Sequence, residues 1–153
     1  MPKESAGLLL YRRRGQTREY LLVHPGGPFW KNKDAGAWTI PKGEIQPDEE
    51  PLTAAQRETR EELGFCPQGD FIPLAPIKQK SGKMVRAWAV QADWDTANFK
   101  SNTFQMEWPP RSGRTQEFLE VDRVAYFELP AARIKINPAQ IPLLEQLDQQ
   151  LRT

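Results

Sequence analysis

The sequence contains one cysteine, Cys66, and one histidine, His24, among its 153 residues. A single cysteine excludes an intrachain disulfide, and no histidine near it in sequence suggests a thiol–imidazole pair, so we interpret Cys66 as a packed thiol. No apolar run approaches the roughly 20 residues of a membrane helix. The run 7–11 is too short for the core of a signal peptide and ends in arginines. These absences predict a cytoplasmic protein with no membrane association.

The net charge is also small: it is +1 at pH 7 when the histidine is counted as neutral. Proteins that bind nucleic acid usually carry a strongly basic surface, so nucleic acid is not an expected partner. Any binding of phosphate must come from local placement of charge. The length and the 39% content of hydrophobic residues predict one domain, residues 1–153, with its own core.

Hydrophobic patterning predicts strands, a helix, further strands and a last helix. The predicted strands are 5–11, 19–24, 37–40, 71–79, 84–92 and 121–129. One helix runs from Pro51 to a cap at Gly64, and Asn137 caps the last helix. The segment 93–116 shows no regular pattern and is interpreted as a long loop, a kind that is often functional. This order of elements predicts an α/β sandwich with a mixed sheet.

Three glutamates stand on the first of these helices. Glu58 and Glu62 are four residues apart and share one face, which Glu61 flanks. The glutamates should lie largely off the buried face, which is formed by Leu52, Ala55, Thr59 and Leu63. Like charges at this spacing destabilise a helix by ~0.2–0.5 kcal/mol per pair, and a hard cation such as Mg²⁺ offsets that repulsion. A solvated, salt-bridged helix face is the alternative interpretation.

The pattern extends beyond the helix, over residues 43–65. It consists of Gly, five residues, Glu, seven residues, then Arg-Glu-apolar-any-Glu-Glu-any-Gly-apolar. This segment resembles the signature of the Nudix hydrolases. Thr59 departs from it, because an aliphatic residue is usual there, and we expect altered packing without loss of chemistry. The resemblance implies a Nudix α/β/α sandwich, with a mixed β-sheet between helices.

The resemblance also implies a role for each motif residue. Glu58, Glu61 and Glu62 would bind a divalent metal, Mg²⁺ or alternatively Mn²⁺, and the backbone carbonyl of Lys42 is a further candidate ligand. The structural residues of the motif would be Gly43, Glu49, Arg57 and Gly64. Among these, Glu49 and Arg57 would pair and so orient the ligating glutamates.

A general base is still required to activate water. In this family it is a glutamate of the motif, for which Glu58 is our choice, or one from a loop outside it. Glu117 and Glu120 follow the long segment directly and are the outside candidates, with Glu117 preferred. The alternative interpretation is that both are surface charges.

The residues before the motif bear on the substrate. Trp38-Thr39-Ile40-Pro41-Lys42-Gly43 resembles a sequence typical of dinucleoside polyphosphate and diphosphoinositol polyphosphate hydrolases of the family. The Lys42 ammonium would hold a phosphate, although an exposed loop lysine is the alternative. Further candidate substrate contacts are Arg86 on a predicted strand, His24 at a strand end, and the loop residues Trp30 and Trp108. His24 is alternatively a hydrogen-bonded strand-end residue.

Together these features predict Mg²⁺-dependent hydrolysis of a phosphoanhydride in a nucleoside diphosphate-linked small molecule. A dinucleoside polyphosphate is the first choice of substrate. Nucleoside triphosphate pyrophosphohydrolase and diphosphoinositol polyphosphate phosphohydrolase activities are alternatives. A non-catalytic Nudix module that binds a nucleotide is the alternative of another class. Such modules are expected to lose ligating glutamates, whereas Glu58, Glu61 and Glu62 are all present here.

Overall fold

A computed structural model describes residues 3–152. Its strands are β1 Ser5–Arg14, β2 Thr17–Pro25, β3 Lys42–Glu44, β4 Ile72–Pro73, β5 Ile77–Lys78, β6 Met84–Gln91, β7 Thr103–Glu107, β8 Thr115–Leu119 and β9 Val121–Glu128. Its helices are α1 Pro51–Leu63, α2 Leu129–Lys135 and α3 Ile141–Arg152, with short 3₁₀ turns at Thr96–Asn98 and Pro138–Gln140. None of the helices within residues 3–152 has the length and apolar character needed to cross a bilayer.

The main sheet is mixed, as predicted. Its strand order is β4-β6-β1-β2-β9, with β3 also paired to β1 and β5 to β6. Strands β1 and β6 are parallel, and the other pairs are antiparallel. Strand β2 pairs with the second half of β1, and β3 pairs with its first three residues. The segment that leads to the glutamate motif therefore lies against the start of β1.

Both faces of this sheet are covered, because side chains alternate between them along each strand. On one face Leu9, Tyr20 and Leu22 pack with residues of α2 and α3. On the other face Leu8 and Leu21 pack with residues of α1. Helices thus lie on both sides of a mixed sheet, which confirms the predicted fold class.

Helix α1 begins at Pro51 and ends before Gly64, as predicted. Gly64 adopts a left-handed conformation with φ of 76°, and its N–H donates to the Arg60 carbonyl. The hydroxyl of the unusual Thr59 is buried and donates to the Ala55 carbonyl at 2.8 Å. Thr59 therefore keeps its polar group satisfied within the helix. The expectation that the glutamates lie off the buried face was wrong for Glu62, which is only 9% exposed.

Several predicted elements need correction. The supposed loop 93–116 contains β7 and the start of β8, which form a separate two-stranded hairpin. The predicted strand 71–79 is two short strands, because Pro73 and Pro76 supply no N–H for a continuous ladder. Residues 37–40 contribute only isolated bridges. Helix α2 was missed because its seven residues directly continue β9. Asn137 caps a 3₁₀ turn, accepting from the Ala139 N–H, and this turn leads into α3.

Candidate active site

Glu62 is the most buried charged residue of α1, and it faces the segment before the motif. Burial raises the pKa of Glu62 well above its usual range, and the charges of Glu58 and Glu120 raise it further. The ammonium of Lys42 opposes this rise, and so does the nearby backbone N–H of Lys42. The structure therefore brings four charged groups from three parts of the chain into one electrostatic cluster.

Glu58 lies one turn before Glu62 and against the backbone of Gly43. A Cβ at position 43 would overlap the Glu58 carboxyl group, so only glycine leaves room for that carboxylate. Burial raises the pKa of Glu58; a hydrogen bond from Arg57 opposes the rise, and the charge of Glu61 adds to it. The requirement for glycine at this position is therefore steric and concerns the glutamate directly.

Arg57 holds the carboxylates from the other side. Its Nε and Nη2 donate to the two oxygens of Glu49 at 2.8 and 3.0 Å, so the pair expected from the sequence is present. Its Nη1 donates to Glu58 at 2.8 Å and to Glu61 at 3.3 Å. The Arg57 guanidinium, followed by the backbone N–H of Gln46, lowers the pKa of Glu49 to about 2. Arg57 is thus the hub of the charged network on α1.

The two glutamates outside the motif occupy different places. Burial raises the pKa of Glu120, and the charges of Glu58 and Glu61 add to the rise. Glu117 is exposed on β8, where its carboxylate accepts from the Thr103 hydroxyl at 2.7 Å. The structure therefore brings Glu120, rather than the preferred Glu117, to the glutamates of α1. Glu117 lies within β8, whereas Glu120 lies between β8 and β9.

Backbone hydrogen bonds fix the position of Glu120. Its N–H donates to the Asn102 carbonyl at 2.8 Å, and the Asn102 N–H donates to the Glu61 carbonyl at 2.8 Å. The Gly26 N–H donates to the Glu120 carbonyl at 2.9 Å. The end of α1, the base of the hairpin and the loop after β2 therefore meet at Glu120. Sequence reasoning missed Asn102 because its contribution is made by backbone groups alone.

The donor set fits a hard divalent ion by its chemistry. Glu58, Glu61, Glu62 and Glu120 offer only oxygen ligands, which Mg²⁺ prefers. Glu58, Glu62 and Glu120 each have a pKa raised by burial and by neighbouring carboxylates, and a cation relieves that repulsion. Within residues 3–152, no three acidic, imidazole or thiol groups already surround a common metal position. Instead, Arg57 engages the carboxylates of Glu58 and Glu61.

Lys42 stands beside this acidic cluster. Burial lowers the pKa of its ammonium; the carboxylates of Glu62 and Glu58 oppose the change, and nearby Lys83 reinforces it. Arg86 is exposed, and its Nε donates to Glu4 at 2.8 Å, so this guanidinium is already engaged. Of the two basic residues predicted to contact substrate, Lys42 is therefore the one that the structure couples to the glutamates.

The predicted aromatic and histidine contacts have different surroundings. His24 is completely buried, with Nδ1 2.7 Å from Asp122 and Nε2 2.6 Å from the Lys33 carbonyl. This is the hydrogen-bonded strand-end position named as the alternative, and the ring has no face or nitrogen open to a ligand. Trp30 and Trp108 are both half-buried. Trp30 packs edge-on against Phe29, and Trp108 lines a cavity near β9.

Comparisons with known proteins bear on the family of this chain. The sequence pattern of the NUDIX domain family matches residues 1–147. The asymmetrical bis(5'-nucleosyl)-tetraphosphatase of Caenorhabditis elegans is 39% identical over 65 residues, which are 42% of this chain and 43% of that protein. Nudix hydrolase 7 of Arabidopsis thaliana is 28% identical over 113 residues, covering 69% of this chain and 38% of that protein. The chain thus spans less than half the length of both curated relatives.

Solved structures show the same fold at low sequence identity. The C. elegans Ap4A hydrolase in a binary complex has a TM-score of 0.66 and 23% identity, with 97% of this chain and 98% of that chain covered. The NUDIX domain of Shewanella oneidensis NrtR, complexed with ADP ribose, has a TM-score of 0.67 and 16% identity, covering 99% and 89%. With the family pattern spanning nearly all of the sequence, the chain belongs to the Nudix family.

Proposed function

We propose that this Nudix protein hydrolyses a phosphoanhydride bond in a nucleoside diphosphate-linked small molecule. The observation that carries this proposal is the acidic cluster of Glu58, Glu62 and Glu120 beside Lys42. Clusters of carboxylates whose pKa values are raised by one another are common at sites that bind cations or transfer protons. The names of the relatives, a tetraphosphatase and a Nudix hydrolase, support the same class of reaction.

We assign the metal site to Glu58, Glu61 and Glu62, with the backbone carbonyl of Lys42 as a further ligand. Mg²⁺, or alternatively Mn²⁺, bound there would neutralise polyphosphate charge and make a water molecule more acidic. Arg57 and Glu49 keep the glutamates of α1 in place through their paired side chains. Gly43 leaves the space that the Glu58 carboxylate occupies.

We place the general base at Glu120, with Glu58 as the alternative within the motif. A carboxylate with a raised pKa accepts a proton more readily near neutral pH than an ordinary one does. Burial and neighbouring charges raise the pKa of both residues, but Arg57 donates directly to Glu58 and thereby stabilises its charged form. Glu117 accepts from Thr103 on the exposed hairpin surface and is a weaker candidate.

A dinucleoside polyphosphate is the substrate that we favour. Lys42 puts an ammonium beside the carboxylates, where it can bind a phosphate that lies beyond the metal. The likeness to the C. elegans tetraphosphatase favours the same choice. Nucleoside triphosphates and diphosphoinositol polyphosphates are the alternative substrates. We further propose that the protein acts in the cytoplasm and that residues 1–153 form a single domain.

A nucleotide-binding module without catalysis is the second candidate function. The fold likeness to the NUDIX domain of NrtR complexed with ADP ribose favours it. The retention of Glu58, Glu61 and Glu62 with a fourth acidic neighbour, Glu120, favours the hydrolase instead.

A hydrolysis screen, in which chromatography resolves the nucleotide, sugar phosphate, pyrophosphate and phosphate products, separates these candidates. The protein is incubated with Mg²⁺ and each of four substrate classes: dinucleoside polyphosphates, nucleoside triphosphates, nucleotide sugars and inositol pyrophosphates. We expect turnover of dinucleoside polyphosphates that stops when EDTA is added. Binding of Mg²⁺ and nucleotide without turnover of any of these compounds would instead support the binding module.

A further inference from the structure

The hairpin of β7 and β8 has one aromatic face. Phe104, Met106 and Trp108 alternate along the chain with exposed Gln105 and Glu107, and each of the three is half-buried. On the opposite strand Phe118 lies beside Phe104, with ring centroids 6.0 Å apart. A two-stranded hairpin is at best marginally stable alone, so such a face requires a covering.

The loop after β2 covers only one end of this face. Gly27 has φ of 97°, and a Cβ there would lie 3.1 Å from the Phe104 ring. Gly26 approaches the hairpin so closely that a Cβ would overlap the Leu119 carbonyl. A cavity of about 460 Å³ lies between this loop and the hairpin, and Trp108 is one of its lining residues. That volume lies within the range typical of small-molecule sites.

The walls of this cavity combine apolar and polar groups. Trp108, Phe118 and Leu119 supply the apolar part, and Leu119 is 42% exposed. Gln116 and Asp122 supply an amide and a carboxylate whose positions are fixed by hydrogen bonds. The Gln116 Nε2 donates to the Trp108 carbonyl at 2.9 Å, and Asp122 is 2.7 Å from the buried His24. Aromatic surface beside a few fixed polar groups suits a flat heterocycle with hydrogen-bonding edges.

The cavity is adjacent to the acidic cluster. Glu120, which belongs to that cluster, stands between two cavity residues, Leu119 and Asp122. Lys31 adds a cation to the opposite wall. A ligand that placed its phosphates at the cluster would therefore have this cavity next to it.

We propose that the cavity between the β2 loop and the hairpin binds the nucleobase of the substrate, with Trp108 as its stacking surface. The proposal rests on the proposed function, because it takes the phosphates to lie at the glutamates. It gives the hairpin a role in recognition that is separate from the hydrolytic step. The buried His24 lies 2.7 Å from Asp122, a residue of the cavity wall.

The test is equilibrium binding, measured by calorimetry in the presence of Mg²⁺. The probes are AMP and GMP, with ribose 5-phosphate as the matched compound that lacks a base. We expect the wild-type protein to bind at least one mononucleotide about tenfold or more tightly than ribose 5-phosphate, because base–aromatic stacking contributes on that scale.

Variants test whether Trp108 causes the preference for a mononucleotide over ribose 5-phosphate. Trp108→Ala should remove most of the preference for the mononucleotide and leave binding of ribose 5-phosphate unchanged, whereas Trp108→Phe should keep most of it. Phe29→Ala is the matched control, because Phe29 is a 62% exposed aromatic residue of the loop after β2 that does not line the cavity. If Trp108→Ala fails to fold, Trp108→Leu keeps apolar volume while removing the ring.

Three results would overturn the proposal: equal binding of all probes by the wild type, no binding of any probe, or an equal loss of both probe types in Trp108→Ala. Because binding is measured without turnover, the two proposals fail separately. A protein that hydrolyses no anhydride but keeps the Trp108-dependent preference loses the hydrolase function alone. A hydrolase that is indifferent to Trp108 loses the cavity assignment alone.

Discussion

The motif segment 43–64 and the hairpin 103–119 meet near Glu120, yet different forces hold them. In the motif, one guanidinium, that of Arg57, engages three carboxylates, and a buried glutamate lies next to a lysine. The hairpin is held at its base by backbone hydrogen bonds of Asn102 and along its face by aromatic packing. This difference indicates that substitutions in the motif should change turnover and stability. Substitutions on the hairpin should change recognition.

The largest effect is expected for Glu62→Gln. The amide keeps the size of the side chain but removes a buried charge from the proposed metal site, so turnover should fall by about 10³-fold. Steady-state rates with Mg²⁺ measure the loss, and circular dichroism checks the fold. Glu145→Gln on the exposed side of α3 is the matched control and should keep its activity. Unchanged turnover in Glu62→Gln would refute the metal assignment.

The next effect tests where the two regions join. Glu120→Gln should lower kcat by about 10- to 100-fold, because Glu120 is the proposed general base. Glu117→Gln, three residues earlier on the exposed hairpin surface, should stay within about threefold of the wild type. Steady-state kcat of both variants on one substrate decides between them. A larger loss of kcat in Glu117→Gln than in Glu120→Gln would instead identify Glu117 as the general base.

A smaller effect concerns stability. Arg57→Ala removes a two-pronged pair with Glu49, whose side chain is only 13% exposed, and should lower Tm by about 5 °C. Arg133→Ala removes an equally two-pronged pair with Glu145, which is 46% exposed, and should lower Tm by at most about 2 °C. Thermal unfolding followed by circular dichroism compares the two. Equal shifts would show that Arg57 is no more structural than a surface arginine.

The smallest effect is a dependence on pH. The pKa of Glu49 is lowered from 4.5 to about 2, so the stability that this carboxylate contributes is present above about 4.5 and lost as pH falls toward 2. The Tm of wild type should therefore exceed that of Glu49→Gln by about 3 °C at pH 5, and the gap should close by pH 2. Melting curves at several pH values measure it. A gap that stays constant over this range would contradict the assignment.

The motif was predictable from the sequence because its determinants are local. Helix α1 follows from Pro51, from the spacing of its apolar residues and from the cap at Gly64. The proximity of Glu58 and Glu62 follows from four-residue spacing alone. The packing of Gly43 against Glu58 depends on tertiary structure, but the motif already contained both residues.

The hairpin was not predictable because its two strands are short and the loop that packs on it, after β2, is distant in sequence. The alternation of Phe104 and Met106 is present, but it spans only five residues and ends in a polar turn with two prolines. Which of Glu117 and Glu120 lies near the glutamates of α1 depends on where β8 ends, at Leu119. No local sequence pattern marks that end. His24 has a polar partner, Asp122, that lies 98 residues away, so its burial could not be inferred from its neighbours.

The contact of Gly26 with the Leu119 carbonyl has a mechanical consequence. Two backbones cross there with no side chain between them, and a hydrogen bond from Gly26 to the Glu120 carbonyl ties the crossing together. Side chains absorb small displacements by changing rotamer, but a backbone crossing has no such freedom. The loop that supplies one wall of the cavity is therefore joined, backbone to backbone, to the residue that carries the Glu120 carboxylate.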